Sequence, residues 1–419
     1  MRLAKNAAFN LCANLALALS NWLLLIVVSK FHGDHALGEV VLALSILSPL
    51  FLFASFKLRT LVICDTDNEY PVEQYFHARF IANSLILLCL PLVNLLLSEG
   101  ISWQVMLIIG LYKWCDSWFE LSISLRHRQQ AFASASSWLL LRATVTGMVL
   151  VLSAFLGLPL LGMMLLWLLV TALFALAATL KSHKVVTEEL KQSFSLLSAI
   201  FSRQRLFGAL GLYRRYLTLS LALMCSSLFV YLPNLVIEHH LQIVDAGRFA
   251  ATSYFLVAGS LLITSLSQAA QPKLRQLYTQ QTFNKFWSLV AKLCMAGLFL
   301  GLMGVALSWL LGDWLLSLFY SQAMAAMHNE FIWIMAAAMI RYGYIFIGTG
   351  LNALKAFHIQ TFIALAGTAT VFIACLLWVP QAGTLGAAKA MFTATALEFM
   401  LYLAFLFLRR KQLGLGVTA

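Results

Sequence analysis

The feature that most constrains this chain is the recurrence of uninterrupted apolar runs along nearly all of its 419 residues. A helix needs about 20 apolar residues to cross a bilayer, and these runs reach that length again and again. Lipid offers the backbone no hydrogen-bond partner, so a spanning segment is a helix or a strand of a closed barrel; runs this long and continuous mean helices. Composition agrees, with 62% hydrophobic and 11% charged residues, where a soluble domain is nearer a quarter charged. About twelve spans are expected. They run roughly over 7–29, 37–63, 75–97, 102–126, 134–156, 158–180, 213–237, 247–270, 286–311, 330–353, 359–379 and 384–408. The first run, Ala7 to Ser29, is too long for the core of a signal peptide and lacks a small-residue cleavage site, so it counts as the first span. The expected fold class is an all-α polytopic membrane protein.

The formal net charge of +12 raises nucleic acid as a partner, but its distribution argues otherwise. One set of loops carries Arg2 and Lys5, then Lys57, Arg59 and Arg79, then Arg126 and Arg128, a dense group from Lys181 to Arg215, and Arg409, Arg410 and Lys411 at the end. The alternate set carries little beyond Lys30 and Arg248. The positive-inside rule places the basic loops and both termini in the cytoplasm. The charge is therefore a topology signal and an affinity for anionic lipid. The seven cysteines are scattered through apolar runs without a CxxC, and His239-His240 cannot share a helix face, so no disulfide, metal or cofactor is expected.

The longest cytoplasmic segment, 181–212, looks amphipathic and divides six spans from six. The expected organisation is a lobe over 1–180, a surface linker over 181–212 and a second lobe over 213–419, around a central cavity. Shifting the second half by 209 positions sets Gly38 on Gly247 and Val27 on Val236. Such a parallel repeat has its axis along the membrane normal, the arrangement of transporters with a site between halves.

Charges inside the spans carry the functional signal. Lys113, Asp116 and Glu120 are spaced i, i+3, i+7 and share one face of the fourth span. Each charge near the bilayer centre costs at least about 2.5–3.5 kcal/mol, so the three face water or pair. Lys113 and Asp116 can pair one turn apart, leaving Glu120 to find another partner or a proton. The face is either a structural ion pair or a cavity wall for a polar substrate or coupling ion. Asn6, Asn10, Asn14 and Asn21 form a stripe on the first span, suited to interhelical hydrogen bonds or to a polar wall. Matching Ala131-Phe132 to Ala356-Phe357 sets Arg341 opposite Asp116, so each half's fourth span carries charge. Arg142 and Arg248 are expected to snorkel to the two membrane surfaces, and Lys389 and Glu398 are further in-span charges. Pro49, Pro91 and Pro233 lie inside spans and should kink them. No GxSxG, HExxH or P-loop signature is present.

The stretch LRTLVICDTDNEYPVEQYFHARFIANSLILL, residues 58–88, resembles the bacterial polysaccharide flippases (O-antigen, Wzx-type) of the multidrug/oligosaccharidyl-lipid/polysaccharide (MOP) exporter superfamily. The matching residues are Leu58, Arg59, Asp65, Asn68, Glu69, Tyr70, Tyr75 and Arg79, joined in the fourth span by Asp116-Ser117, Arg126 and Gln129. Ala78-Arg79 stands where that family has Leu-Arg, and Thr66-Asp67 interrupts its spacing. The resemblance implies an undecaprenyl-pyrophosphate-linked oligosaccharide carried across a bacterial inner membrane by alternating access. Arg59, Lys113 and Arg341 would then meet the diphosphate, and Asn10, Asn14 and Asn21 the sugar hydroxyls. Asp116 and Glu120 would balance those cations or bind a coupling proton or sodium ion. Expected partners are the lipid-linked substrate, membrane lipid and a polysaccharide polymerase with its chain-length regulator; the chain is expected to be monomeric. The rivals are a multidrug antiporter of the same superfamily and, disfavoured by the short outer loops, a polysaccharide polymerase or ligase.

Overall fold

The computed structural model describes residues 2–64, 69–97, 100–129, 131–188, 203–354 and 357–415. Parts of the sequence reading lie outside the described residues: Asp65, Thr66-Asp67 and Asn68 of the resemblance motif, the Ala356 used to place Arg341, and 189–202 of the expected linker. The side chain of Asn6 is likewise not described.

Every described element is helical, as the continuous apolar runs demand. They are α1 (Arg2–Ala54), α2 (Leu58–Cys64), α3 (Val72–Leu97), α4 (Trp103–Arg128), α5 (Phe132–Phe155), α6 (Leu160–Glu188), α7 (Arg203–His240), α8 (Ile243–Thr279), α9 (Phe283–Phe319), a 3₁₀ turn (Gln322–Met327), α10 (His328–Ala353) and α11 (Phe357–Leu415). Among the described residues nine helical stretches are long and apolar enough to cross a membrane, and the chain is a multi-pass membrane protein. The charged α4 falls outside that set. Two expected pairs of spans share one helix. α1 covers the first and the second as far as Ala54, the end of the second falling in α2, and breaks helical geometry only at Gly33 (φ 84°), while α11 covers the last two and breaks only at Gly383 (φ 59°). A positive φ is accessible to glycine without a Cβ clash, so the chain reverses there without a loop. The backbone breaks inside α1 and α11 therefore sit at glycines, although Pro49 and Pro380 lie inside the same helices. The expected outer loop 312–329 is shorter than its sequence suggested, because α9 continues to Phe319.

The chain divides into two compact units, Met1–Ser227 and Leu228–Ala419, with the division inside α7. The first half of α7 belongs to the first unit because it docks there. Tyr213 Oη donates to the Ala78 carbonyl, and its ring lies 4.4 Å from that of Phe56.

In the first unit α4 is the hub, in contact with α1, α2, α3, α5 and α6. Its start is fixed by Glu39 of α1, whose Oε2 accepts from the Ser102 backbone N–H (3.2 Å) and hydroxyl (2.7 Å). A carboxylate there also suits the positive end of a helix dipole. Toward α6, the Tyr112 ring stacks on Trp167 at 3.6 Å and Trp118 Nε1 donates to Thr179 at 2.8 Å. In the second unit α10 takes the same role, packed against α8, α9 and α11, with 61% of its apolar window buried against 22% for α9. The α9–α10 approach is close because Gly297 and Gly301 face backbone: an added Cβ would strike the Tyr342 carbonyl and the Met339 Cα. Small residues at such seams let lipid-embedded helices gain dispersion contact that the hydrophobic effect cannot supply.

Candidate functional site

The charges of α4 resolve into two ion pairs, neither of them the expected one. Asp116 Oδ1 accepts from Arg142 Nη1 of α5 at 2.6 Å, and Glu120 Oε1 from Arg59 Nη1 of α2 at 3.1 Å. Lys113 is half-buried and has no ion-pair partner among the described residues, so the expected Lys113–Asp116 pair is replaced by a contact between helices. The physical reason is geometry. Each arginine reaches across from another helix and brings one Nη1 donor to a carboxylate, whereas a lysine one turn away must fold back along its own helix.

Arg142 corrects a second expectation. It does not reach for headgroups: its side chain is 2% exposed, and its guanidinium lies 4.7 Å over the Phe119 ring. It stands ten residues into α5, about 15 Å along the axis, beyond what a side chain spans by snorkelling. That depth was the signal in the sequence for an internal partner. The second pair is wetter, with Arg59 and Glu120 35% and 41% exposed.

Asn14, Arg59, Asp116, Glu120 and Arg142 line one cavity of about 90 Å³, closed by Phe119 and Leu139. Ligand pockets begin at roughly 300 Å³, so in this conformation the space admits water or an ion and not a sugar ring. Beside it is a residue that sequence reasoning placed in a motif and among the charges of a cytoplasmic loop, and that the structure instead buries within α3. Arg79 of α3 is 1% exposed and donates from Nη1 to Ser117 of α4 at 2.7 Å, and Asn83 Nδ2 donates to the same hydroxyl at 2.9 Å. Arg79 Nε and Nη2 find no partner. The unit thus sets three arginines around two carboxylates.

The asparagine stripe divides. Asn14 faces the cavity and donates to the Asn10 carbonyl at 2.7 Å. Asn10 Oδ1 accepts from Ser136 of α5 at 3.4 Å, and Asn21 Oδ1 from the Tyr112 hydroxyl of α4 at 3.3 Å, so these two tie α1 to its neighbours.

Arg341 belongs to the second unit. It lies thirteen residues past His328 in a 26-residue helix, just as Asp116 lies thirteen past Trp103 in another. Its guanidinium is 5.1 Å over the Phe229 ring and lies in the field of Glu398. Glu398, 6% exposed, accepts from the Tyr344 hydroxyl, and Tyr344 stacks on Tyr402 at 5.1 Å. The first unit therefore brings together Asn14, Arg59, Asp116 and Glu120 on one cavity and adds Arg142, while Lys113 is not among the lining residues.

No family model matches the chain. A capsular polysaccharide biosynthesis protein, CapF of Staphylococcus aureus, is 25% identical over 415 residues, covering 98% of this chain and all of that one. Among solved structures, the lipid II flippase MurJ in an inward closed conformation superposes with a TM-score of 0.73 at 13% identity, over 94% of this chain and 86% of that one. An inward-facing multidrug resistance MATE transporter of the MOP superfamily gives 0.68 at 15% identity over 95% of each chain. A MOP-superfamily transporter from Pyrococcus furiosus gives 0.66 at 13% identity over 98% of this chain and 95% of that one.

Proposed function

We propose that this chain, which has the fold of the MOP-superfamily transporters, is a flippase for a lipid-linked oligosaccharide of surface polysaccharide assembly. Its substrate class is an undecaprenyl-pyrophosphate-linked glycan, moved between leaflets of a bacterial inner membrane. The full-length likeness to a capsular polysaccharide biosynthesis protein supports that class. The observation that carries the proposal is the pair of arginine–carboxylate contacts on a water-sized cavity in the first unit.

A sugar diphosphate cannot cross hydrocarbon unaided; it needs cations for the phosphates and hydrogen-bonding groups for the sugar. Arg59 suits the first task. It is partly exposed, and its bond to Glu120 is one that a more highly charged diphosphate can outcompete. Releasing Glu120 leaves an unpaired carboxylate on the cavity, which a proton or a sodium ion can neutralise. That exchange links substrate entry to ion uptake through a single side chain. Arg142 holds Asp116 and keeps the cavity wall polar, and Asn14 offers an amide to sugar hydroxyls. A multidrug cation carrier would want free carboxylates, and here both are already matched by arginines, which favours an anionic cargo.

The test is deletion of the gene, with complementation by wild type and by Arg59→Gln. Loss of surface glycan with lipid-linked units accumulating on the inner leaflet is expected, restored by wild type and not by the variant. Normal glycan after deletion, or units that reach the outer leaflet and stay unpolymerised, would overturn the proposal.

A further inference from the structure

We propose that the second unit carries a binding site for an acidic sugar, built around Lys389 beside the Gly383 reversal; this deepens the flippase function proposed above. A cavity of about 510 Å³ opens there, within the range of small-molecule sites, and its walls include Trp333, Trp378, Gln381, Lys389, Phe392 and Thr393. All of them belong to α10 and α11.

Lys389 is the anomaly that points to a ligand. It stands inside the last apolar run, where a charge is costly and marks function by default. Its neighbours Ala387, Ala388, Ala390 and Met391 are fully buried, so this helix is otherwise packed. Among the described residues no carboxylate lies within ion-pair distance of it; its Nζ sits 5.8 Å over the Trp333 ring instead. An indole face holds a cation in place and neutralises none of its charge. Trp333 is itself fixed edge-to-face against Phe392 at 5.2 Å.

The wall chemistry selects the ligand. Indole rings present flat apolar faces that match the C–H face of a pyranose. The Gln381 amide and Thr393 hydroxyl exchange hydrogen bonds with sugar hydroxyls. Those groups alone would serve a neutral sugar. The unmatched ammonium adds a requirement for negative charge, which a uronic acid meets with its carboxylate. An anionic lipid headgroup would use the lysine and leave the indoles idle.

The test titrates the purified full-length chain, in nanodiscs of zwitterionic lipid, with cellobiouronic acid and with cellobiose, its neutral counterpart. The acid is expected to bind more tightly by on the order of tenfold. Lys389→Gln should erase that ratio while leaving cellobiose binding intact, Lys389→Arg should keep it, and Trp333→Phe should weaken both sugars. Equal binding of the two sugars by wild type, or a preference that survives Lys389→Gln, overturns the proposal. If phosphatidylglycerol in the nanodisc abolishes acid binding and Trp333→Phe changes nothing, the site belongs to a lipid headgroup and the proposal falls. Binding is read here without transport, so a chain that binds the acid but moves no lipid-linked glycan would overturn the flippase function and leave the sugar site standing.

Discussion

Each unit holds arginine and carboxylate side chains within its helices, and the two arrangements are built to opposite ends. In the first unit Asp116 and Glu120 each hold an arginine across a cavity, and three of the four partners are at least a third exposed. In the second, Glu398 is buried and accepts from the Tyr344 hydroxyl, while half-buried Arg341 lies over the Phe229 ring with no carboxylate in ion-pair distance among the described residues. A charge on a cavity can change partners at modest cost because water covers the intermediate. A charge sealed among rings cannot, since losing its partner leaves it bare in low dielectric. We therefore assign exchange to the first site and fixation to the second.

Substitutions can break that contrast, and the largest effect should come from the sealed site. Glu398→Ala deprives the buried Tyr344 hydroxyl of its acceptor and leaves a cavity, and should cost about 3–4 kcal/mol. A melting curve in detergent would read this as a large drop in Tm, and transport should fall only in step with the folded fraction. Asp116→Ala strands Arg142, which is 2% exposed, but Asp116 is 36% exposed and water relieves part of the loss. The expected cost is about 2–3 kcal/mol, below that of a fully buried pair. A double-mutant cycle with Arg142→Ala should recover most of it. Arg59→Gln breaks a pair that is over a third exposed at both ends on average, so stability should shift by less than about 1 kcal/mol. Transport should nevertheless fall on the order of tenfold, equivalent to about 1.4 kcal/mol of lost transition-state binding. Lys113→Gln should do least, within about 0.5 kcal/mol in stability and near wild type in transport. A severe transport defect in Lys113→Gln with Arg59→Gln unaffected would reverse the assignment of roles.

Much of the fold was legible because lipid leaves the backbone one solution, and long apolar runs report it directly. The breaks were legible as well: the expected gaps 30–36 and 380–383 hold Gly33 and Gly383, the first within the polar stretch KFHGDH, and only their tightness was not written in the sequence. The site was half legible. Asp116 and Glu120 stood out as charges on one helix face, because a period of 3.6 is written along the chain. Their partners Arg142 and Arg59 lie on other helices, and periodicity carries no record of which faces meet. The local pair with Lys113 was the only one that spacing could suggest. The asparagine stripe left interhelical bonds and a polar wall both open, and Asn10 and Asn21 take the first role, bonded to Ser136 and Tyr112.

The central claim is that the first-unit ion pairs serve transport of an anionic headgroup and not merely the fold. The most direct measurement is flipping of a fluorescent undecaprenyl-pyrophosphate disaccharide in proteoliposomes, with wild type and Arg59→Gln at matched folded protein. The account predicts rapid wild-type translocation and a loss on the order of tenfold in the variant with an unchanged Tm. Equal rates in the two, or no movement by wild type under either a proton or a sodium gradient, would contradict it.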